Sequence, residues 1–70
     1  MNERVKQLIH DARNPLNNIS VNAELGKLAL QSNSDIERSV AALDVILQEC
    51  QRCSQTLQEL ADTLGSESDK

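Results

Sequence analysis

The feature that most constrains the fold is a seven-residue repeat of apolar residues in the second half of the chain. One row of the repeat runs from Ile36 to Leu64, and a second row runs from Ser39 to Leu60. Residues at this spacing are typical of helices that pack along a coiled-coil seam. The second half is therefore predicted to form one long helix over about residues 35–64. The two rows are Ile36, Leu43, Cys50, Leu57 and Leu64, and Ser39, Ile46, Cys53 and Leu60.

The first half of the chain has a helical pattern as well, from about residue 2 to residue 30. Its one interruption is Pro15. Because proline removes a backbone donor and crowds the preceding turn, we expect a bend there. The pattern predicts a helix of nearly the same length as the second one. Its apolar residues are Val5, Leu8, Ala12, Leu16, Ile19, Ala23 and Leu30.

A short polar segment, residues 31–34, separates the two predicted helices. Ser34 can cap the first turn of the second helix, while Glu37 reaches back to it in a capping box. Gly65 is expected to stop the second helix, because glycine accepts the left-handed conformation of a helix C-terminus. Residues 65–70 are then predicted to form a flexible tail or a linker severed from a longer chain.

Two long helices joined by a short loop give an antiparallel hairpin. In a chain of 70 residues a single core seldom supplies more than about 3–5 kcal/mol, so assembly usually helps. Two hairpins packed about a two-fold axis would bury the remaining apolar faces in a four-helix bundle. The sequence thus predicts one all-α domain, a helical hairpin over residues 1–64, that homodimerises.

Charge and hydropathy narrow the classes of partner. The formal net charge is −4, and the seven basic residues are scattered along the chain. Nucleic-acid binding needs clustered positive charge, so no nucleic acid is expected as a partner. No apolar run is long enough for a signal peptide or a membrane span. We therefore expect a cytoplasmic segment without membrane contact.

The only histidine stands among residues suited to phosphoryl transfer. His10 is followed by Asp11, Arg13, Asn14 and Pro15. A neutral imidazole nitrogen is a competent nucleophile, and a neighbouring carboxylate can orient the ring and stabilise charge that develops on it. On a helix, the apolar stripe of residues 5–30 falls opposite His10. The histidine is therefore predicted to face outward.

The run from Leu8 to Leu16 resembles the H-box of the dimerisation and histidine-phosphotransfer domain of two-component histidine kinases. That motif reads His, Glu or Asp, any residue, Arg, Thr or Asn, Pro and Leu, and the chain matches it at every specified place. The resemblance covers about residues 5–64, and the second helix is similar in its spacing of Arg and Leu. It implies the same homodimeric four-helix bundle.

The resemblance also implies roles for the residues of the motif. His10 would carry the phosphoryl group, and Asp11 would act as its base or orienting acid. Asn14 would position the water that hydrolyses the aspartyl phosphate of a response-regulator receiver. Arg13 is the basic residue of the motif and would help hold the phosphate oxygens. By helical phase, Asn17, Val21, Leu25 and Leu28 lie on the side of His10, where they are expected to contact the receiver. The three apolar residues fit additional bundle surface equally well.

The resemblance ends where a complete kinase would continue. The chain has no asparagine-bearing helix for magnesium and no glycine-rich ATP lid, so no autonomous ATP-dependent kinase activity is expected from it. Phosphate would come from a receiver or from the ATP-binding domain of a histidine kinase in trans. The chain itself would bind no cofactor and no metal, because the receiver carries the Mg²⁺. An excised kinase domain and a free-standing phosphotransfer protein both fit the sequence.

Other interpretations remain open. A non-enzymatic dimerisation or adaptor module would bind a receiver or a histidine kinase and modulate it without chemistry. A plain structural coiled-coil hairpin would need neither His10 nor Asn14, and the polar residues of the motif would then form a solvated surface. Cys50 and Cys53 permit a zinc site or a disulfide if four cysteines meet in a dimer. Because both lie on the predicted seam, we expect them to pack as small apolar residues.

Overall fold

The computed structural model describes residues 3–68, which form two α-helices joined by a tight turn. The first helix, α1, is Glu3–Asn33, and the second, α2, is Ile36–Ser68. The helices pack along their whole length as an antiparallel hairpin with extents of 56 × 16 × 10 Å. The prediction of an all-helical hairpin is confirmed.

The C-terminal ends of both helices differ from the predicted ones. Because α1 continues to Asn33, the connection consists only of Ser34 and Asp35. At the other end, α2 continues through Gly65, which has no positive φ and does not stop the helix as expected. The predicted helix start at residue 2 and the tail residues 69 and 70 lie outside the described residues.

Asp35, rather than Ser34, caps α2. The Asp35 carboxylate accepts a hydrogen bond from the Arg38 amide at 3.0 Å. Ser34 instead makes the reversal of the chain with a left-handed φ of 52°, and the next amide, of Asp35, donates to the Ala29 carbonyl at 3.0 Å. The predicted capping role of Ser34 is wrong, because the acid after it occupies the position from which a side chain reaches the free amides.

We expect Ser34→Gly to stabilise the hairpin by about 1 kcal/mol, because the left-handed conformation costs an L-residue roughly that much and glycine almost nothing. Urea denaturation followed by circular dichroism at fixed chain concentration measures the change. Ser20→Gly is the matched control, since Ser20 is exposed on α1, where glycine should cost about 0.5–1 kcal/mol. A loss of stability in both variants would contradict the turn geometry.

The inner faces of the two helices follow matching seven-residue repeats. Near the turn the inner residues are small, and the Ser39 hydroxyl donates to the Gly26 carbonyl at 3.2 Å. This contact requires a close approach of the helix backbones. Apart from the half-buried Asp11, the buried and half-buried positions are Val5, Leu8, Ala12, Pro15, Ile19, Asn22, Gly26 and Ala29 on α1, and Ser39, Ala42, Ile46, Glu49, Cys53, Thr56, Leu60 and Thr63 on α2.

The structure divides the predicted seam of α2 between two environments. The row that begins at Ser39 faces α1, whereas the row that begins at Ile36 is exposed. Packing as a small apolar residue is accordingly confirmed for Cys53. Cys50 is exposed in the single hairpin, and its packing in a dimer stays a prediction. The apolar stripe of α1 is divided in the same way, since Leu8 is 1% exposed and Leu16 is 53% exposed.

The exposed apolar residues of the two helices lie side by side along one edge of the hairpin. A groove of about 210 Å³ is lined by Ala23 and Leu30 of α1 and by Leu43 of α2. The seven-residue spacing continues this surface along the hairpin. We call it the apolar flank. Its residues are Ile9, Leu16, Ala23, Leu30, Ile36, Val40, Leu43, Leu47, Cys50, Leu57 and Leu64.

Candidate phosphoacceptor site

His10 lies on the face of α1 that points away from α2. Its side chain is exposed, while Leu8 and Ala12 on either side of it in the sequence are buried against α2. This is the outward orientation that the helical phase predicts. An imidazole in this position is open to a phosphodonor from solvent.

The carboxylate of Asp11, the residue after His10, makes a contact within α1. Asp11 is half-buried, and its Oδ1 accepts a hydrogen bond from Gln7 Nε2, one turn earlier, at 2.9 Å. Within residues 3–68 its Oδ2 has no partner. The site therefore has an oriented acid with one oxygen still available.

The other polar residues of the motif are exposed and unpaired within residues 3–68. They are Arg13, Asn14 and Asn17. Residues four apart on a helix lie on the same side, so the Asn14 amide is a neighbour of the His10 ring. The two side chains can therefore contact the same group of a bound substrate.

Pro15 packs on the inner face of α1 and is less than 2% exposed. α1 runs through Pro15 as one helix, which agrees with the single predicted helix, and the bend expected at Pro15 stays a prediction. One turn away, the Cys53 thiol donates to the Ala12 carbonyl at 3.7 Å. The whole motif thus lies on one continuous helix, and helical spacing applies to all of its residues.

The predicted apolar strip of α1 is exposed, with Val21, Leu25 and Leu28 at 57%, 54% and 51%. Leu25 and Leu28 line a groove of about 500 Å³ together with Val45 of α2. The helix register places this groove on the side of the hairpin opposite the apolar flank. The structure therefore brings two of the three predicted residues into one concave surface between the helices.

The sequence analysis missed a polar cluster formed around Glu49. This side chain is only 10% exposed, and both of its oxygens accept from Arg52 Nη1 at 2.9 Å. Asn18 Nδ2 donates to Glu49 Oε1 across the two helices. A buried carboxylate needs such partners to offset its lost hydration. The sequence signal for this cluster is the position of Glu49, seven residues after Ala42 on the inner face of α2.

Within residues 3–68, no three His, Cys, Asp or Glu side chains are grouped so that they could hold a metal ion. In the same part of the chain, neither helix has the length and hydropathy of a membrane span. The chain matches no protein-family model, no curated protein and no solved structure.

Proposed function

We propose that this protein is a phosphoacceptor module of two-component signalling that exchanges a phosphoryl group between His10 and the aspartate of a response-regulator receiver. The observation that carries the proposal is the exposed position of His10 on the outer face of α1, with Asp11 beside it and Asn14 one turn further. The resemblance of residues 8–16 to the H-box supports the same assignment. The receiver would supply the Mg²⁺, and the exchange would take place in the cytoplasm.

The proposed transfer is a substitution at phosphorus. An imidazole nitrogen of His10 attacks the aspartyl phosphate, the P–O bond to the aspartate breaks, and a P–N bond forms while the receiver carboxylate leaves. Asp11 orients the ring and stabilises the positive charge that develops on it. In the hydrolytic reaction, Asn14 would instead hold the attacking water, and the products would be inorganic phosphate and the free receiver aspartate.

We also propose that two copies pack through their apolar flanks into a four-helix bundle. Leu43 and Leu47 are 57% and 65% exposed in the single hairpin. Soluble monomers seldom leave a continuous apolar surface of this kind in water. In such a dimer His10 stays accessible, because it points away from the inner face, and the groove lined by Leu25 and Leu28 stays free for a receiver.

The test is to mix the purified chain with a panel of phosphorylated receivers and to follow acid-labile phosphate by intact mass. We expect label on the wild type and none on His10→Gln, because glutamine is close in size but has no nucleophilic ring nitrogen. Asn14→Ala should keep the label on His10 but slow the hydrolysis of receiver phosphate about a hundredfold.

Two outcomes would change the conclusion. If neither a receiver nor a small phosphodonor labels the wild type, His10 is not a phosphoacceptor. If the chain alters receiver or kinase activity equally well with His10→Gln, the protein is the adaptor that the sequence also permits.

A further inference from the structure

The side of the hairpin opposite the apolar flank carries residues that face each other at a constant register. Arg4 of α1 and Glu59 of α2 form an ion pair there, with Nη2 and Oε2 3.2 Å apart. Moving seven residues toward the turn on each helix preserves this relation, because both helices follow the same repeat. The next facing residues are Asp11 and Arg52. A positive residue of α2 thus lies across from the acid beside His10.

Two other contacts place Arg52 at the height of Asp11. Its neighbour Cys53 donates to the carbonyl of Ala12, which is the residue after Asp11, at 3.7 Å. Glu49, which holds the Arg52 guanidinium, accepts a hydrogen bond from Asn18, seven residues beyond Asp11 on the same row of α1. These contacts place Arg52 opposite Asp11, as the seven-residue repeat does.

Within the described part of the chain, Arg52 has unused hydrogen-bond donors, and Asp11 has an unused acceptor. Arg52 uses only Nη1, toward Glu49, and within residues 3–68 its Nε and Nη2 have no partner. A guanidinium has five N–H donors in a planar fork, so three remain. Asp11 uses only Oδ1, toward Gln7. In the same residues no ion pair joins Asp11 to Arg52. The Arg52 side chain is 57% exposed, so its guanidinium has room to turn about the contact with Glu49.

We propose that Arg52 is a positioning residue of the His10 site. A rotation of its guanidinium brings Nε or Nη2 to Oδ2 of Asp11, while Nη1 remains on Glu49. The resulting bridge holds the carboxylate at a fixed angle to the imidazole and couples α2 to the phosphoacceptor. The inferred contact depends only on the register of the two helices, whereas its effect on phosphoryl transfer rests on the proposed function.

NMR of the arginine side chains tests the contact in the unphosphorylated protein. We expect Asp11→Asn to shift the ¹⁵Nε–¹Hε resonance of Arg52 and to leave that of Arg38 in place. Arg38 is a matched control, because it lies on the same row of α2 two repeats nearer the turn and pairs with Asp35 in the same i, i+3 relation at 4.0 Å. An Arg52 resonance that Asp11→Asn does not move would overturn the contact.

The rate at which phosphoramidate phosphorylates His10 tests the effect on chemistry. In this reaction the P–N bond of the donor breaks, a P–N bond to the imidazole forms, and ammonia leaves. Arg52→Gln should slow the reaction about tenfold, since it removes one charge-assisted hydrogen bond. In the Asp11→Asn background the same substitution should have no further effect, because Arg52 acts through Asp11.

Control variants separate positioning from folding. Arg52→Lys keeps the charge and should restore part of the rate, and Arg38→Gln should leave the rate unchanged. Helix content is compared by circular dichroism in every variant. An unchanged rate in Arg52→Gln, or equal slowing with and without the Asp11 carboxylate, would overturn the positioning role. A wild-type chain that phosphoramidate does not label would instead overturn the proposed function, while the NMR experiment would still decide the contact.

Discussion

A chain that carries both Leu43→Lys and Leu57→Lys is expected to stay monomeric at concentrations where we expect the wild type to form the proposed dimer. Each substitution puts an ammonium group in the middle of the apolar flank, and its burial against a second copy would remove it from water without a partner. In the single hairpin the two leucines are 57% and 50% exposed, so lysine fits there. We expect the dissociation constant to rise roughly a thousandfold.

Sedimentation equilibrium over a range of concentrations measures this effect. Leu25→Lys with Leu28→Lys is the matched control, because these leucines are 54% and 51% exposed but lie on the opposite side of the hairpin. The control should dimerise like the wild type. A wild type that is helical and monomeric at every concentration would contradict the dimer, and a control that dissociates would place the interface on the other side.

Leu8→Ala is expected to lower the free energy of unfolding by about 2–4 kcal/mol, because it leaves a cavity on the inner face of the hairpin. Leu8 is 1% exposed and precedes His10 by two residues. A loss of this size is a large part of the stability that a small domain has. We therefore expect the first turns of α1, including His10 and its neighbours, to lose helical order in this variant first.

Urea denaturation at fixed chain concentration gives the comparison for Leu8→Ala. Leu28→Ala removes the same atoms from a side chain that is 51% exposed, and its effect should be within about 0.5 kcal/mol. If the two variants lose equal stability, Leu8 does not pack between the helices as described.

The existence of both helices could be predicted, because their apolar residues recur at helical spacing over about thirty residues each. The position of the turn could be predicted, but the residue that caps α2 could not. Ser34 and Asp35 are both good capping residues, and the left-handed φ of Ser34 decides between them. At Gly65 the preference of glycine for helix ends favoured a stop, but glycine also adopts the helical conformation, and α2 continues through it.

The division of the apolar rows between two surfaces could not be predicted from spacing. Both rows of α2 repeat every seven residues, so either one satisfies the pattern of a seam. The small residues carry the missing information. A Cβ added to Gly26 would lie 3.5 Å from the Ala42 Cβ and 4.0 Å from the Ser39 carbonyl oxygen, so the two backbones approach closely where the row that contains Ser39 begins. The bulkier row, from Ile36 to Leu64, is left outside.

The outward orientation of His10 could be predicted from a single helix, because it depends only on the angle between residues. The surroundings of Glu49 could not be predicted in this way, because its partner Asn18 belongs to the other helix. Which residues meet across a hairpin is set by the length of its turn. A turn one residue longer would change every facing pair, including Asp11 and Arg52.

The antiparallel packing and the two-residue turn place residues 3 and 68, the two ends of the described chain, at the same end of the hairpin. His10 lies about two helical turns from this open end and about 36 Å of helix from Ser34. The closed end fixes the two helices to each other. A force or torque applied at the open end would therefore reach His10 before it reaches the turn. It would first change the packing of α1 against α2 near Asp11 and Arg52.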